Sequence, residues 1–414
     1  MRETPSRVEG LSATYRICLL VGFVGDLVLP ILNLFVPLLA YELGANPFEV
    51  GLVGGVSYVT YSLVPFVVGR FSDRMKQRSI LLIISLLVLC SASALYAIAT
   101  SPVFLIALRV VEGVCWGILW PTVDALVGGD PSRETTRSFS VYNSTWSTAS
   151  AIGPLVGTAI AAITTSIRFI FVSTALLSGA MVLLNIVSLV RTSSHSVEVI
   201  RVATARPAGH ASDSEADQLP SRHLRVGRVG FMMVAIALVM ASRSTIFTFF
   251  PPLARSMGLS VFSIGLIAFA SGLMMTLVFV ATTRDSIRNR ILERNRTKAN
   301  VLIVLSIASI AGALPGLQDN TGTVGLVSFG LVGAATGIMI TLAQAGIIVD
   351  SKADQIGRSS GLFESAIGIG SAFGPVFAGS VSGTSFVLPF LTPLLGIVAV
   401  PVLLRLYHED TRLS

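Results

Sequence analysis

Twelve stretches of predominantly apolar residues run through this sequence, separated by short polar breaks. A helix needs about 20 such residues to cross the hydrocarbon core of a bilayer. The pattern predicts membrane helices over 15–40, 49–68, 80–100, 103–127, 139–164, 169–190, 229–254, 262–283, 299–317, 323–349, 359–381 and 386–406. The expected fold is an all-α membrane protein of twelve transmembrane helices.

One break differs from the rest. Residues 191–228 are polar, carry Pro207 and Pro220, and hold three of the four histidines, a composition that cannot bury a core. They read as a linker between a six-helix bundle at 1–190 and a second at 229–406, followed by a short tail at 407–414. The two bundles also share sequence at fixed offsets, the mark of an internal repeat. Residues 42–53 align without gaps on 256–267, with Gly44, Phe48, Gly51 and Leu52 recurring as Gly258, Phe262, Gly265 and Leu266. At a second offset, Arg137 and Ser138 fall on Arg358 and Ser359, and Gly153-Pro154 on Gly374-Pro375.

Composition agrees with the pattern: 53% of residues are hydrophobic, 12% are charged, and mean hydropathy is +0.80. Soluble domains carry about 25% charged residues. The net charge of +7 is topological, not a nucleic-acid surface. All of the 29 basic residues except Arg109, Arg168, Arg243 and Arg255 fall on the face shared by both termini and the linker, which the positive-inside rule assigns to the cytoplasm. The N-terminal MRETPSR is short and polar with no cleavage site, so the first run reads as a retained helix. Cys18, Cys90 and Cys115 lie in apolar runs, without metal or disulfide spacing. No histidine lies in a predicted span, which excludes a buried histidine proton relay, and no phosphate-binding Gly-x-x-x-x-Gly-Lys run is present. No cofactor or metal is expected. A membrane enzyme lacks a catalytic constellation here, and a sensor lacks a soluble signalling domain.

Between the second and third runs, Gly69 to Arg78 (GRFSDRMKQR) concentrates Arg70, Arg74, Lys76 and Arg78 around one carboxylate, Asp73. Its Gly69, Asp73, Arg74 and Arg78 pattern resembles the loop signature of the major facilitator superfamily of secondary transporters. The resemblance extends to the six-plus-six helix plan over nearly the whole chain. It implies a monomeric carrier in the plasma membrane, with both termini cytoplasmic and partners limited to a small-molecule substrate, protons and lipid. It also implies that Asp73 latches the halves by docking at the start of the eleventh helix, at Ser359 with Arg358 as counter-ion. A degenerate second copy carries Asp285; for that loop, simple positive-inside anchoring is the alternative reading.

On the fourth helix, Arg109, Glu112 and Gly113 resemble the family's Arg-x-x-Gln-Gly pattern with Glu in place of the amide. Glu112, Trp116, Trp120 and Asp124 recur at helical spacing, so one face carries an acid, two indoles and another acid. Ionisable groups at bilayer depth cost at least about 2.5 kcal/mol unless paired or hydrated. The face is therefore either a cavity wall with a protonatable Glu112 or a fixed ion pair between packing tryptophans. On the fifth helix, Gly153, Pro154 and Gly157 resemble the Gly-Pro-x-x-Gly element of the drug:proton antiporter branch, echoed by Gly374 and Pro375; helix packing is the alternative.

Asp26 lies ten residues beyond Arg16, roughly 15 Å into a core of about 30 Å. It cannot snorkel to water, which makes it a candidate proton or cation carrier; a structural hydrogen bond is the other reading. Asn33 shares its helix face. Glu364 is a second coupling or gating candidate. Arg243 reads as a counter-ion to Asp26 or Glu112, as an anion site, or as a side chain reaching the outer interface. The expected activity is proton-coupled export of lipophilic or cationic small molecules, with Asp26 and Glu112 as the protonatable pair and Trp116, Trp120 and Trp146 as aromatic surface. The alternative is uptake of a small metabolite or organic anion through Arg243.

Overall fold

The computed structural model describes residues 5–72, 79–128, 135–196, 222–282, 284–293, 297–317, 321–344 and 356–401. Every predicted apolar segment is helical over most of its described residues, and no strand occurs among them. The first half comprises α1 (Pro5–Glu42), α2 (Pro47–Ser72), α3 (Ser79–Ala97), α4 (Pro102–Gly128), α5 (Thr135–Thr164) and α6 (Arg168–Ser196). The second comprises α7 (Arg222–Ser256), α8 (Val261–Thr282), α9 (Asp285–Leu292), α10 (Thr297–Ala313), α11 (Thr323–Gln344), α12 (Ile356–Ser380) and α13 (Leu388–Pro401). Ten of these helices are long and apolar enough to cross a membrane.

Three local differences from the sequence reading have physical causes. The expected linker is shortened at both ends, because α6 runs on to Ser196 and α7 begins at Arg222. The polar loop after α8 contains α9, a two-turn helix whose Ile287 and Ile291 recur at i, i+4. The last segment opens as a tighter 3₁₀ helix over Leu388–Leu394 before continuing as α-helix. Pro389 and Pro393 each remove a backbone donor that α-helical bonding would need there.

The repeat read from the sequence is reproduced in the backbone. Gly44 and Gly258 close α1 and α7 with positive φ angles of 84° and 85°, a conformation costly for any other residue. The hydrogen bonds match as well: Ala45 donates to Ala40 O as Leu259 donates to Ala254 O. Within the halves, α1 packs on α5 as α7 packs on α12, and α2 on α4 as α8 on α11. Between the halves, α2 meets α12, α5 meets α8, and α1 meets α7. An approximate two-fold axis relating the halves exchanges the first two of these pairs.

Duplicated residues make these contacts. A methyl group added at Gly51 would lie 2.5 Å from the Pro375 carbonyl oxygen, and one at Gly265 would lie 2.9 Å from that of Pro154. Glycine lets the helix backbones approach where any side chain would hold them apart. The halves are packed together at the face that carries the α1–α2 and α7–α8 turns. There Leu38, Leu39, Phe249, Phe250, Leu253 and Phe390 belong to one apolar core spanning both. At the opposite, terminal face the second half keeps a core of its own around Phe231, Met232, Val301, Met339 and Phe363. Gly51→Val is expected to pry α2 from α12 at the turn face. Overpacking of about 1–3 kcal/mol would shift the equilibrium toward separation by about five- to 150-fold. A cysteine introduced at Ala378, buried on α12, should then react faster with an impermeant maleimide. An unchanged rate in a folded protein would count against glycine contact as the seal.

Candidate functional site

The centre of the first half is a closed hydrogen-bond network around Arg109, which is fully buried on α4 together with Glu112. Arg109 donates from Nε to Val53 O of α2 (2.8 Å), from Nη2 to Asn33 Oδ1 of α1 (2.8 Å) and from Nη1 to Glu112 Oε1 (2.6 Å). Glu112 also accepts from Tyr96 OH of α3 (2.6 Å, at Oε2) and from Trp116 Nε1 (2.9 Å, at Oε1). Asn33 passes the chain on, donating to Tyr58 OH of α2 at 2.8 Å. Four helices thus converge on one ion pair, and both carboxylate oxygens are occupied. Arg109 and Glu112 face each other as an ion pair within α4. Gly113 permits it, because a methyl there would collide with the Ser57 carbonyl of α2.

The aromatic residues divide into different roles. Trp116 and Trp120 stack with centroids 5.6 Å apart and planes 6° from parallel. Trp116 is buried and bonded to Glu112, whereas Trp120 is half-buried beside Gly25, next to Asp26 on α1. Asp26 is 7% exposed. Trp146 sits on the seam between the halves, edge-on to Phe279 of α8 at 5.4 Å. Gly153 and Gly157 seat α5 against Leu27 and Phe35 of α1, and Gly374 seats α12 against Ala241 of α7. The Gly-Pro runs therefore pack helices.

Across the centre, Arg243 of α7 is half-buried. Its Nη1 donates to Ser271 Oγ of α8 (2.7 Å), and its guanidinium carbon lies 4.6 Å from the centroid of the Phe247 ring. The oxygens of Glu112 are held by Arg109, Tyr96 and Trp116, while Arg243 is bonded to Ser271 midway along α8. Among the described residues no carboxylate lies within ion-pairing distance of it.

Glu364 of α12 accepts a hydrogen bond from Tyr61 OH of α2 at 2.5 Å, a polar contact joining the two halves. Tyr61 in turn packs edge-on against Tyr58 (6.5 Å), which belongs to the Arg109 network. Sequence reading missed Tyr58, Tyr61, Tyr96 and Ser271. A signal existed for the tyrosines: a phenol inside an apolar run must find a hydrogen-bond partner, and Tyr58, Tyr61 and Tyr96 all lie inside such runs.

The expected latch falls largely outside the described residues, which do not include Asp73, Arg74 and Arg78. Gly69 lies in the last turn of α2, Asp285 opens α9, and Arg358 and Ser359 lie in the first turn of α12. The side chains of these four, and of Asp124, are also outside what is described. Among the described residues no cluster of His, Cys, Asp or Glu could hold a metal ion.

Two pseudo-symmetric helical halves, packed on each other at one face and joined by the Tyr61–Glu364 and Trp146–Phe279 contacts, have the build of a secondary transporter. The sequence profile of the Major Facilitator Superfamily matches residues 18–375, and the chain belongs to that family. It is a multi-pass membrane transporter and not an enzyme. A crystal structure of the nucleoside transporter NupG is similar with a TM-score of 0.70 and 14% identity, covering 95% of this chain and 99% of that one. A bacterial homologue of the human lysosomal transporter Spinster, in an inward-facing and occupied conformation, has a TM-score of 0.67 and 14% identity, covering 99% and 98%. At that identity the likeness is one of fold. A stretch of 131 residues is 30% identical to the MFS transporter L2 of Phoma sp., spanning 31% of this chain and 22% of the length of that relative.

Proposed function

We propose that this carrier couples proton movement to the export of lipophilic or cationic small molecules, the two halves rocking about the central site. The observation that carries the coupling is the Tyr61–Glu364 bond, a phenol–carboxylate contact between the halves at membrane depth. Alternating access needs contacts that form in one state and break in the other, and a carboxylate contact can be switched by a proton. Asp26 is the second acid of the mechanism. Glu112 serves as the anchor of the first half, because its charge is already met by Arg109. The half-buried Trp120 and the ring of Phe247 suit a flat apolar substrate body. A second reading, uptake of a small metabolite or organic anion, is favoured by Arg243. Under both, the distribution of basic residues supports cytoplasmic termini, and the family resemblance supports a monomer in the plasma membrane.

The test is flux across proteoliposomes under an imposed pH gradient, with ethidium and tetraphenylphosphonium as cation probes and labelled benzoate as the anion. Gradient-dependent flux of either set is expected, and no response from any probe would reject the coupling. Asp26→Asn should abolish gradient-driven flux while leaving the melting temperature unchanged. Undiminished flux would remove Asp26 from the coupling pathway.

A further inference from the structure

We infer that the substrate is held through an anionic group, of carboxylate type and borne on a flat apolar body, that docks on Arg243. The argument begins from donor counting. A guanidinium carries five N–H donors in a rigid fork and cannot shed its charge. Arg109 spends Nε, Nη1 and Nη2 on Val53, Glu112 and Asn33, with a carboxylate to balance it. Arg243, at the level of the same network but on the other half, makes one hydrogen bond, to Ser271, and lies over Phe247. Among the described residues nothing else accepts from it, and no acid balances its charge.

A half-buried cation at bilayer depth is expensive unless paired, and such residues mark substrate or ion pathways. The position of Arg243 fits the first of these. Gly54 of α2 abuts Thr248 of α7, so the segment carrying Tyr58 runs beside the one carrying Arg243, and the two side chains lie within electrostatic reach of each other across the halves. Ser271 fixes one edge of the fork and Phe247 supports its face, leaving the remaining N–H groups for an acceptor. A carboxylate accepts two of them in parallel, a geometry that an amide or a cation cannot reproduce. Phe247 and Tyr58 then supply flat walls for the body of the molecule. The Arg109–Glu112 pair contributes no net charge to oppose an anion.

This inference rests on the second reading above, transport of an organic anion, and opposes a cationic substrate; its test uses no gradient, so it fails or stands separately from proton coupling. The full-length protein in nanodiscs is titrated with three molecules of one shape, 2-naphthoate, 2-naphthamide and 2-naphthamidinium, followed by calorimetry. The wild type should bind 2-naphthoate at least about tenfold more tightly than the amide, the margin a charge-assisted bidentate contact supplies. Arg243→Gln should erase that margin while leaving amide binding and the melting temperature in place. Arg243→Lys, which keeps the charge and loses the fork, should retain an intermediate preference and also covers the case in which the Gln variant does not fold. The inference is overturned if the anion fails to bind, if the amide or the amidinium binds as tightly, or if both variants keep the wild-type preference.

Discussion

Glu364→Gln is expected to leave α2 and α12 unclasped at every pH and to abolish proton-driven flux. In the wild type, Tyr61 donates to Glu364 at 2.5 Å, at the short end of the range of about 2.5–2.7 Å for a hydroxyl bonded to an ionised carboxylate. Such bonds contribute about 1.5–3 kcal/mol, so losing one shifts the clasped-to-unclasped equilibrium by about ten- to a hundredfold. The sign follows from the chemistry: the bond is strongest with Glu364 ionised, and acidification weakens it as the acid takes up a proton. The groups facing Glu364 are Tyr61 and, one turn away, Tyr58 from α2; on α7 the described cation, Arg243, lies further toward the turn face.

Spin labels at Leu63→Cys and Ile369→Cys, both on exposed positions of the two helices, read the separation once the native cysteines are replaced by alanine. The wild-type distance should lengthen as pH falls. Glu364→Gln and Tyr61→Phe should give the long distance throughout. A Glu364→Gln protein that still lengthens with acidification would move the switch to another acid, with Asp26 the first to examine.

Arg109→Met should be the most destabilising single change in the first half. Removing one partner of a buried ion pair leaves the other charge uncompensated, typically costing about 3–5 kcal/mol. The substitution also strips donors from Val53 O and Asn33 Oδ1, at about 1–3 kcal/mol for each buried acceptor left unmet. The double variant Arg109→Met with Glu112→Met should recover a large part of the loss, since replacing a whole buried pair with apolar groups is often near neutral. Recovery should be incomplete, because Tyr96 and Trp116 would still lack their acceptor. Cys18 and Cys115 are free and buried, so a thiol-reactive dye followed on heating reports unfolding directly. A double variant no more stable than Arg109→Met would show that the loss does not come from the orphaned carboxylate.

The parts of this protein that were legible in advance are those set by neighbours along the chain. Membrane helices announce themselves by length, and only the short polar α9 escaped because eight residues carry too little pattern. The duplication was readable at Gly44 and Gly258 because a left-handed helix end nearly demands glycine. Arg109 and Glu112 could be paired because three residues on a helix place them one turn apart. By contrast, nothing in the sequence joins Tyr61 to Glu364, which are 303 positions apart, or gives Arg243 to Ser271 in place of Glu112.

By itself the sequence determined that the chain crosses a membrane in two related sets of helices, and that several charges lie too deep to be left to lipid. Tertiary structure alone decided how each charge is met: Glu112 is enclosed by three donors on two helices, Glu364 is tied across the halves, and Arg243 bonds Ser271 and lies over Phe247. Helical periodicity fixes which residues share a face. Which face meets which depends on the rotation and crossing of each helix, settled by close packing at glycines such as Gly51, Gly113 and Gly265.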